Sequence, residues 1–285
     1  MRFAVMADIH GNLPALEAVL EDMQQYAVDG VIVAGDIIGG PHVVETIQII
    51  QSLNGWTIRG NNEEYFRKYR DGTAPEGWQI SRQWAPMRWV YRQLNEAMFG
   101  YLFSRPEQVT VVSDGAAPLR VVHGSPRNQS ETLFPETKPE AFHQALADIA
   151  ESVMICGHTH RPWQHCLNGN FALNPGAVGG PLNGHVGTQY AVIIWHNGRW
   201  NAELRAISYD IAHIRKAYQE SGFLEEGGAF ARSWLCTLET GHDVTIEFLK
   251  YAYGVAEEAG YAGCETVPDD AWERAAETFD WSRYR

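Results

Sequence analysis

The sequence predicts an α/β fold on three observations. Short apolar, β-branched runs alternate with longer stretches of helical period in the first half, and strand-like runs return through the middle of the chain. The polar residues able to do chemistry fall just beyond the apolar runs, where open α/β sheets carry their ligand sites. With 285 residues, 45% of them hydrophobic and 20% charged, the chain can bury a sizeable core. That excludes a disordered tail or a disulfide-stapled miniprotein, and one main unit with additions is expected.

Residues 2–7 read as the first strand, 31–34 as the second and 56–59 as the third, separated by helical stretches at 13–26 and 42–53. Within 13–26, Leu13, Leu16, Leu20 and Met23 recur at three- and four-residue steps, while Glu17, Glu21, Gln24 and Gln25 take the other face. That spacing is an amphipathic helix. Across 65–106 the pattern changes: Trp78, Trp84, Trp89, Tyr91, Phe99 and Tyr101 are spread through polar helical spacing. This reads as a helical insertion packed against the sheet edge; a base-stacking surface would call for an accompanying basic stripe.

Further strands are expected at 108–112, 119–122, 153–156, 170–173, 189–195 and 200–206, so the second half reads as mainly β. From residue 209 the pattern is helical again, with breaks at 225–228 and 240–241, and Pro268 opens a last acidic segment. The expected organisation is a main domain over 1–206, with the insertion at about 65–106, and a C-terminal helical appendage over 207–285. The sequence shows no internal repeat or low-complexity tract.

Charge and composition exclude several function classes. Lys and Arg number 22 against 35 Asp and Glu, a net charge of −13 with no long block of either sign. General nucleic-acid or anionic-membrane binding is therefore disfavoured, because both need a basic footprint. The opening apolar stretch is too short for a signal-peptide core. Apolar runs such as 31–34 and 191–195 fall far short of the ~20 residues a spanning helix needs. Cys156, Cys166, Cys236 and Cys264 show no C-x-x-C pairing, against a zinc ribbon, a thioredoxin-type site or a disulfide framework. A cytoplasmic protein without a membrane partner is expected.

The chemistry gathers beyond the strands. Asp8 and His10 follow the first, Asp36 the second, Asn61 and Asn62 the third, His123 a later one, and His158 and His160 another. Gly11, Gly35, Gly60, Gly124 and Gly157 adjoin them and allow tight turns and close backbone approach. Neutral imidazoles with carboxylates suit manganese, iron or zinc better than calcium or an all-oxygen magnesium site. Asp8, His10, Asp36, Asn61, His123, His158 and His160 are too many ligands for one tetrahedral ion, but they fit two ions that share a bridging carboxylate. Cys156 reads as a buried strand residue rather than a thiolate ligand.

In that order and on those strand ends, the motifs Asp8-x-His10, Gly35-Asp36, Gly60-Asn61, His123 and Gly157-His158-x-His160 resemble those of the calcineurin-like metallophosphoesterases. The resemblance extends to about residue 206 and includes Asn174-Pro175-Gly176-Ala177-Val178-Gly179, similar to an element of the small bacterial and archaeal members. It implies a four-layer α-β-β-α sandwich holding two divalent ions, manganese foremost, with iron, zinc or nickel as alternatives. On the motif match, Asp8, His10 and His160 would bind one ion, Asn61, His123 and His158 the other, and Asp36 would bridge them. Paired cations can share and acidify a water, which then attacks a phosphoryl group in line as a metal-bridged hydroxide.

The sequence departs from the family pattern at Asn62, where many members carry a histidine that protonates the leaving group or stabilises the transition state. Asparagine can donate to a phosphoryl oxygen but cannot serve as a general acid near neutral pH. Members lacking the histidine are similar to phosphodiesterases in activity, which favours diesters over monoesters. His42 is a candidate replacement acid, and Arg161 and Arg127, with Asn62, are candidate substrate contacts. The catalytic group is thus expected to comprise Asp36, Asn61, Asn62 and His42. The loop 179–184 carries no lysine or arginine of the kind relatives often place there.

The reading that follows is a binuclear metal-dependent phosphoesterase acting on a small phosphodiester, nucleotide or phosphorylated metabolite. The insertion and the C-terminal helices would wall its cleft. The alternative is a non-catalytic, metal-dependent binding or scaffold protein on the same fold; a nuclease would need a local basic groove. A homo-oligomer is compatible with the sequence.

Overall fold

A computed structural model describes residues 1–167 and 169–284. In chain order, the first half comprises β1 (Arg2–Met6), α1 (Leu13–Asp22), β2 (Gly30–Val33), α2 (Val43–Ser52), β3 (Gly55–Thr57), α3 (Asn61–Arg70), α4 (Glu76–Ile80), α5 (Ala85–Gln93) and α6 (Glu96–Ser104). Then follow β4 (Val109–Val111), β5 (Leu119–Val121), α7 (Pro139–Ala147), β6 (Val153–Ile155), β7 (Trp163–Leu167), β8 (Asn170–Asn174), β9 (Thr188–His196) and β10 (Arg199–Ile207). The chain closes with α8 (Ile211–Glu220), α9 (Phe223–Thr240), α10 (Val244–Glu258) and α11 (Asp269–Thr278). None of the described helices is long and apolar enough to cross a membrane.

The strands form two five-stranded mixed sheets, ordered β10-β9-β1-β2-β3 and β4-β5-β6-β8-β7. Alternation along the strands builds four layers. One face of β1 (Phe3, Val5) and Ile32 of β2 meet Leu119, Val121, Val153, Ile155 and Leu173 of the other sheet in a shared core. The opposite faces, with Ala4, Met6, Val31 and Val33, pack on Leu16 and Val19 of α1 and Ile47 and Ile50 of α2. Behind the second sheet, Val122, Met154 and Ala172 pack on Phe142, Ala145 and Leu146 of α7. The α-β-β-α sandwich is thus a direct product of strand periodicity.

Three differences from the sequence expectations have local causes. The third helix begins at Asn61 rather than near Tyr65, because Glu63 supplies the reciprocal half of a cap by accepting the Gly60 amide at 2.7 Å. Helix α7 and strand β7 were not among the expected elements. Pro139 at the first turn, with Phe142, Ala145 and Leu146 on one face, makes α7. Polar β7 is held as an edge strand by antiparallel pairing with β8.

The helical additions join the outer core. Phe66, Trp89, Val90, Phe99 and Leu102 of the insertion share one cluster with Tyr218, Phe223, Ala231 and Leu235 of the C-terminal helices. Gly228 kinks α9 at φ 57°, ψ −136°, while α10 and α11 build their own cluster around Phe248 and Trp272. A polar clamp ties α1 to the first sheet: Asp22 accepts the Tyr190 hydroxyl at 2.6 Å and pairs with Arg205 at 3.1 Å. Burial works against ionisation of Asp22, but hydrogen bonds from Arg205 and Tyr190 win and hold its carboxyl below the usual range.

Candidate metal centre

The loops that leave the strands are strained at five of the residues singled out above. Asp8 and His10 after β1 sit at φ 54° and 48°, Asp36 after β2 at 54°, and His158 and His160 after β6 at 69° and 55°. Left-handed backbone at such residues costs roughly 1 kcal/mol each. Among the described non-glycine residues only Ala27 and Asn197 share it. The strain is sustained because the loops are laced together. The Asp8 amide donates to Gly35 O at 3.1 Å, Ile9 and His10 donate to Asp36 O at 2.8 and 3.1 Å, and Gly157 donates to His123 O at 2.8 Å. Gly35, at φ +92°, lies so close that a Cβ there would come within 2.6 Å of Gly60 N.

The histidines are oriented one by one. Nδ1 of His10 donates to Ile38 O at 3.2 Å, that of His123 to Ala34 O at 2.7 Å, and that of His160 to Gly180 O at 2.7 Å. A carbonyl can only accept, so each Nδ1 carries the proton, which leaves Nε2 of His10 and of His160 as the lone-pair atom. These Nε2 atoms converge with the carboxylates. His10 and His160 approach to 3.0 Å, His160 lies 3.6 Å from Asp8, His123 lies 3.3 Å from Asp36 and 3.8 Å from Asp8, and His10 lies 3.8 Å from Asp36. Two groups result in which ligand atoms all lie within 4.8 Å of one another: Asp8, His10 and His160, and Asp8, Asp36 and His123.

Asn61 presents Oδ1 to His123 Nε2 at 3.0 Å. His158 lies beside His123, ring centroids 5.2 Å apart, with its main-chain amide donating to both Asp8 oxygens at 2.9 and 3.2 Å. Asn62 donates to Asp36 from its main chain at 2.9 Å and from its side chain at 2.5 Å.

This donor set fits divalent cations. Two imidazole lone pairs facing each other at 3.0 Å, with no proton between them, repel unless a cation lies between. Protonation agrees. Burial lowers the pKa of His10, and burial with the charge of His123 brings His158 to about 4. Burial and His10 bring His160 to about 3. All three imidazoles are therefore neutral at neutral pH, the form able to hold a cation. His123 is the exception: burial opposes its charge, but Asp36 and Asp8 push it up to about 10. Asp36 is correspondingly held low by His123 against the cost of burial, while burial drives Asp8 up.

One residue of the centre was not singled out from sequence. Glu63, 1% exposed, accepts four main-chain amides: Asp36 at 3.0 Å, Ile37 at 2.8 Å, Ile38 at 3.2 Å and Gly60 at 2.7 Å. It thereby fixes the turn that carries Asp36. Burial, with the charge of Asp36, raises its pKa to about 7. Its signal in the sequence is the capping-box spacing from Gly60.

The cluster opens, through His10, Asp36 and His160, onto a cavity of about 360 Å³. Its walls are the insertion (Tyr65, Trp84, Met87) and the C-terminal helices (Phe230, Trp234, Leu249); its floor includes His10, Asp36, Asn61, Asn62, His158 and His160. Trp234 stands edge-on to both His10 and His160, 5.4 and 5.7 Å between centroids. Among the candidates outside the carboxylate–imidazole cluster, three are not brought to this cavity. His42 precedes α2, and its charged neighbours are Glu45 and Glu17, because the Gly39–Gly40–Pro41 turn directs it toward α1. Arg127 is bound by Glu131 at 2.6 Å and Asp148 at 2.7 Å. Arg161 pairs with Glu136 at 3.2 Å. Cys156 packs behind the second sheet, where burial pushes its thiol up.

Two laced sheets with a carboxylate–imidazole cluster at their strand ends define a metallophosphoesterase fold. Residues 1–198 match the calcineurin-like phosphoesterase superfamily domain, and the chain belongs to that family. An uncharacterised protein of Methanocaldococcus jannaschii is 26% identical over 246 residues, 76% of this chain and 90% of that protein. The crystal structure of a metallophosphoesterase from Sphaerobacter thermophilus is 26% identical, with a TM-score of 0.67 over 85% of this chain and all of the other. A hypothetical protein from Pyrococcus horikoshii, 20% identical, shares the fold at a TM-score of 0.67 over 84% of this chain and 98% of its own.

Proposed function

We propose that the chain is a two-cation phosphodiesterase acting on a small diester, its natural ions foremost manganese. The convergence of Asp8, His10 and His160, and of Asp8, Asp36 and His123, around facing Nε2 lone pairs carries this reading. Bound there, divalent cations supply Lewis acidity, neutralising phosphoryl charge and lowering the pKa of a water.

The chain's own residues do the rest. Asp8, His10 and His160 would hold one cation, Asn61, His123 and His158 the other, and Asp36 would serve both. Glu63 and Asn62 keep the Asp36 carboxylate aimed, through the turn and through the two bonds described above. One amide hydrogen of Asn62 goes to Asp36; the second is left to donate to a phosphoryl oxygen. The trans-sheet ligand set belongs to the domain 1–206, and the insertion and the appendage 207–285 exclude water from the cavity.

Two observations favour a diester. No lysine or arginine is among the residues lining the cavity, so charge neutralisation falls to the cations alone. A monoester carries about −2 near neutral pH and a diester −1, so the diester is the better match. Asn62 also offers no acid for a poor leaving group. We further propose a cytoplasmic protein without membrane or general nucleic-acid partners.

The test compares p-nitrophenyl phosphate with bis(p-nitrophenyl) phosphate on manganese-reconstituted protein, beside Asp36→Asn. A diester preference of tenfold or more, abolished in the variant, is expected. A monoester preference, or full activity in Asp36→Asn, contradicts it.

A further inference from the structure

Resting on the phosphodiester reading above, we infer that the cavity takes an uncharged, planar aromatic group, such as a nucleobase, as the non-reacting ester substituent. Trp84 is the residue that carries this. It is stacked on Trp78 at 4.1 Å and 23°, and Tyr65 stands perpendicular to it at 5.9 Å. One face of the indole is covered by Trp78, and Trp84 is among the residues that line the cavity. The arrangement makes Trp84 a backed platform, held rigid before any ligand arrives, which is what favours stacking of a flat ring.

The polar groups of the adjoining wall are engaged within the protein: Gln83 bonds Tyr253 and Val267, and Thr245 bonds Ser233.

Location and charge narrow the occupant further. Trp234 packs edge-on to the imidazoles of His10 and His160, so the apolar wall begins at the ligands themselves and a group attached to the reacting phosphorus enters it directly. The volume of about 360 Å³ is that of a small-ligand pocket. With no lysine or arginine in the lining, a substituent bearing further phosphates or a carboxylate would be desolvated without a counter-charge. The substituent is therefore aromatic and neutral, and the only formal charge on the substrate is that of the diester.

The test holds the leaving group constant. Methyl p-nitrophenyl phosphate and thymidine 5′-(p-nitrophenyl phosphate) both release p-nitrophenolate and differ only in the retained substituent. Stacking of one base corresponds to roughly a 5- to 150-fold gain, so kcat/KM for the thymidine ester should exceed that for the methyl ester by about tenfold or more. Trp84→Leu should bring the ratio below about threefold. Ile246→Ser, at a lining position 43% exposed and so harmless to folding, should reduce it severalfold.

Saturation-transfer NMR with thymidine on metal-free protein reads the pocket without turnover: a signal in the parent protein that is lost in Trp84→Leu supports the inference. Equal kcat/KM for the two esters, with no thymidine signal, overturns it and leaves the phosphodiesterase reading intact. Turnover of neither ester overturns that reading instead, and the thymidine signal alone then decides the pocket.

Discussion

Replacing Glu63 by glutamine is expected to destabilise the fold and weaken cation binding together, and the size of the effect follows from the geometry. Oε2 accepts Asp36 N and Gly60 N at 3.0 and 2.7 Å, and Oε1 accepts Ile37 N and Ile38 N at 2.8 and 3.2 Å. An amide group can replace only one of these oxygens as an acceptor. Whichever way it turns, two buried main-chain donors face its NH2, at about 1–3 kcal/mol each. Neutralising a carboxylate whose pKa burial has raised to about 7 returns part of that. The expected net loss is about 2–3 kcal/mol, or roughly 5–10 °C in Tm for a chain of this size. Because the loosened turn carries Asp36, manganese affinity should fall about 10- to 100-fold. Thermal denaturation and calorimetric titration measure the two. A Tm within 2 °C of the parent with unchanged affinity would refute the assignment of Glu63 as the support of the Asp36 turn.

Gly60→Ala places a Cβ on Asp36 Oδ1; manganese affinity should drop at least tenfold by the same titration, and an unchanged affinity would show that the turn yields easily. Asn62→His restores a side chain able to protonate a leaving group, an effect worth up to about 10²–10⁴-fold. Its rate gain should appear with an alkyl leaving group and vanish with p-nitrophenolate; equal gains with both would contradict the role given to position 62. Arg205→Ala should cost about 1 kcal/mol at pH 7, since the pair with Asp22 is only partly exposed, at 27% and 17%. The folded-state pKa of Asp22 is depressed, so its contribution is present above the unfolded value near 4 and is lost as pH falls through the folded one. Urea denaturation should therefore show the variant and the parent converging as pH falls below the unfolded value near 4; a constant gap would mean the loss is packing alone.

Much of the sandwich and the centre was legible in sequence, for a physical reason. Strand alternation fixes which faces of β1 and β2 are buried, and the candidate ligands Asp8, His10, Asp36, His123 and His160 sit one or a few residues beyond strands whose ends are easily read. Features that depend on tertiary approach were less legible. His42, Arg127 and Arg161 are close in sequence to the ligands, yet turns and ion pairs carry them elsewhere. Trp234, more than two hundred residues from His10, packs directly on it. Glu63 reads as an ordinary helix-start acid until the turn it holds is seen. Strand β7 owes its form to β8 rather than to its own apolar pattern.

The measurement that tests the central claim most directly is a manganese titration of the metal-free protein, with bis(p-nitrophenyl) phosphate hydrolysis followed at each addition. Two ions should bind per chain, activity should reach its plateau only at the second equivalent, and Asp36→Asn should abolish that plateau. A plateau at one equivalent would contradict the two-cation centre, and two bound ions without diester turnover would contradict the phosphodiesterase.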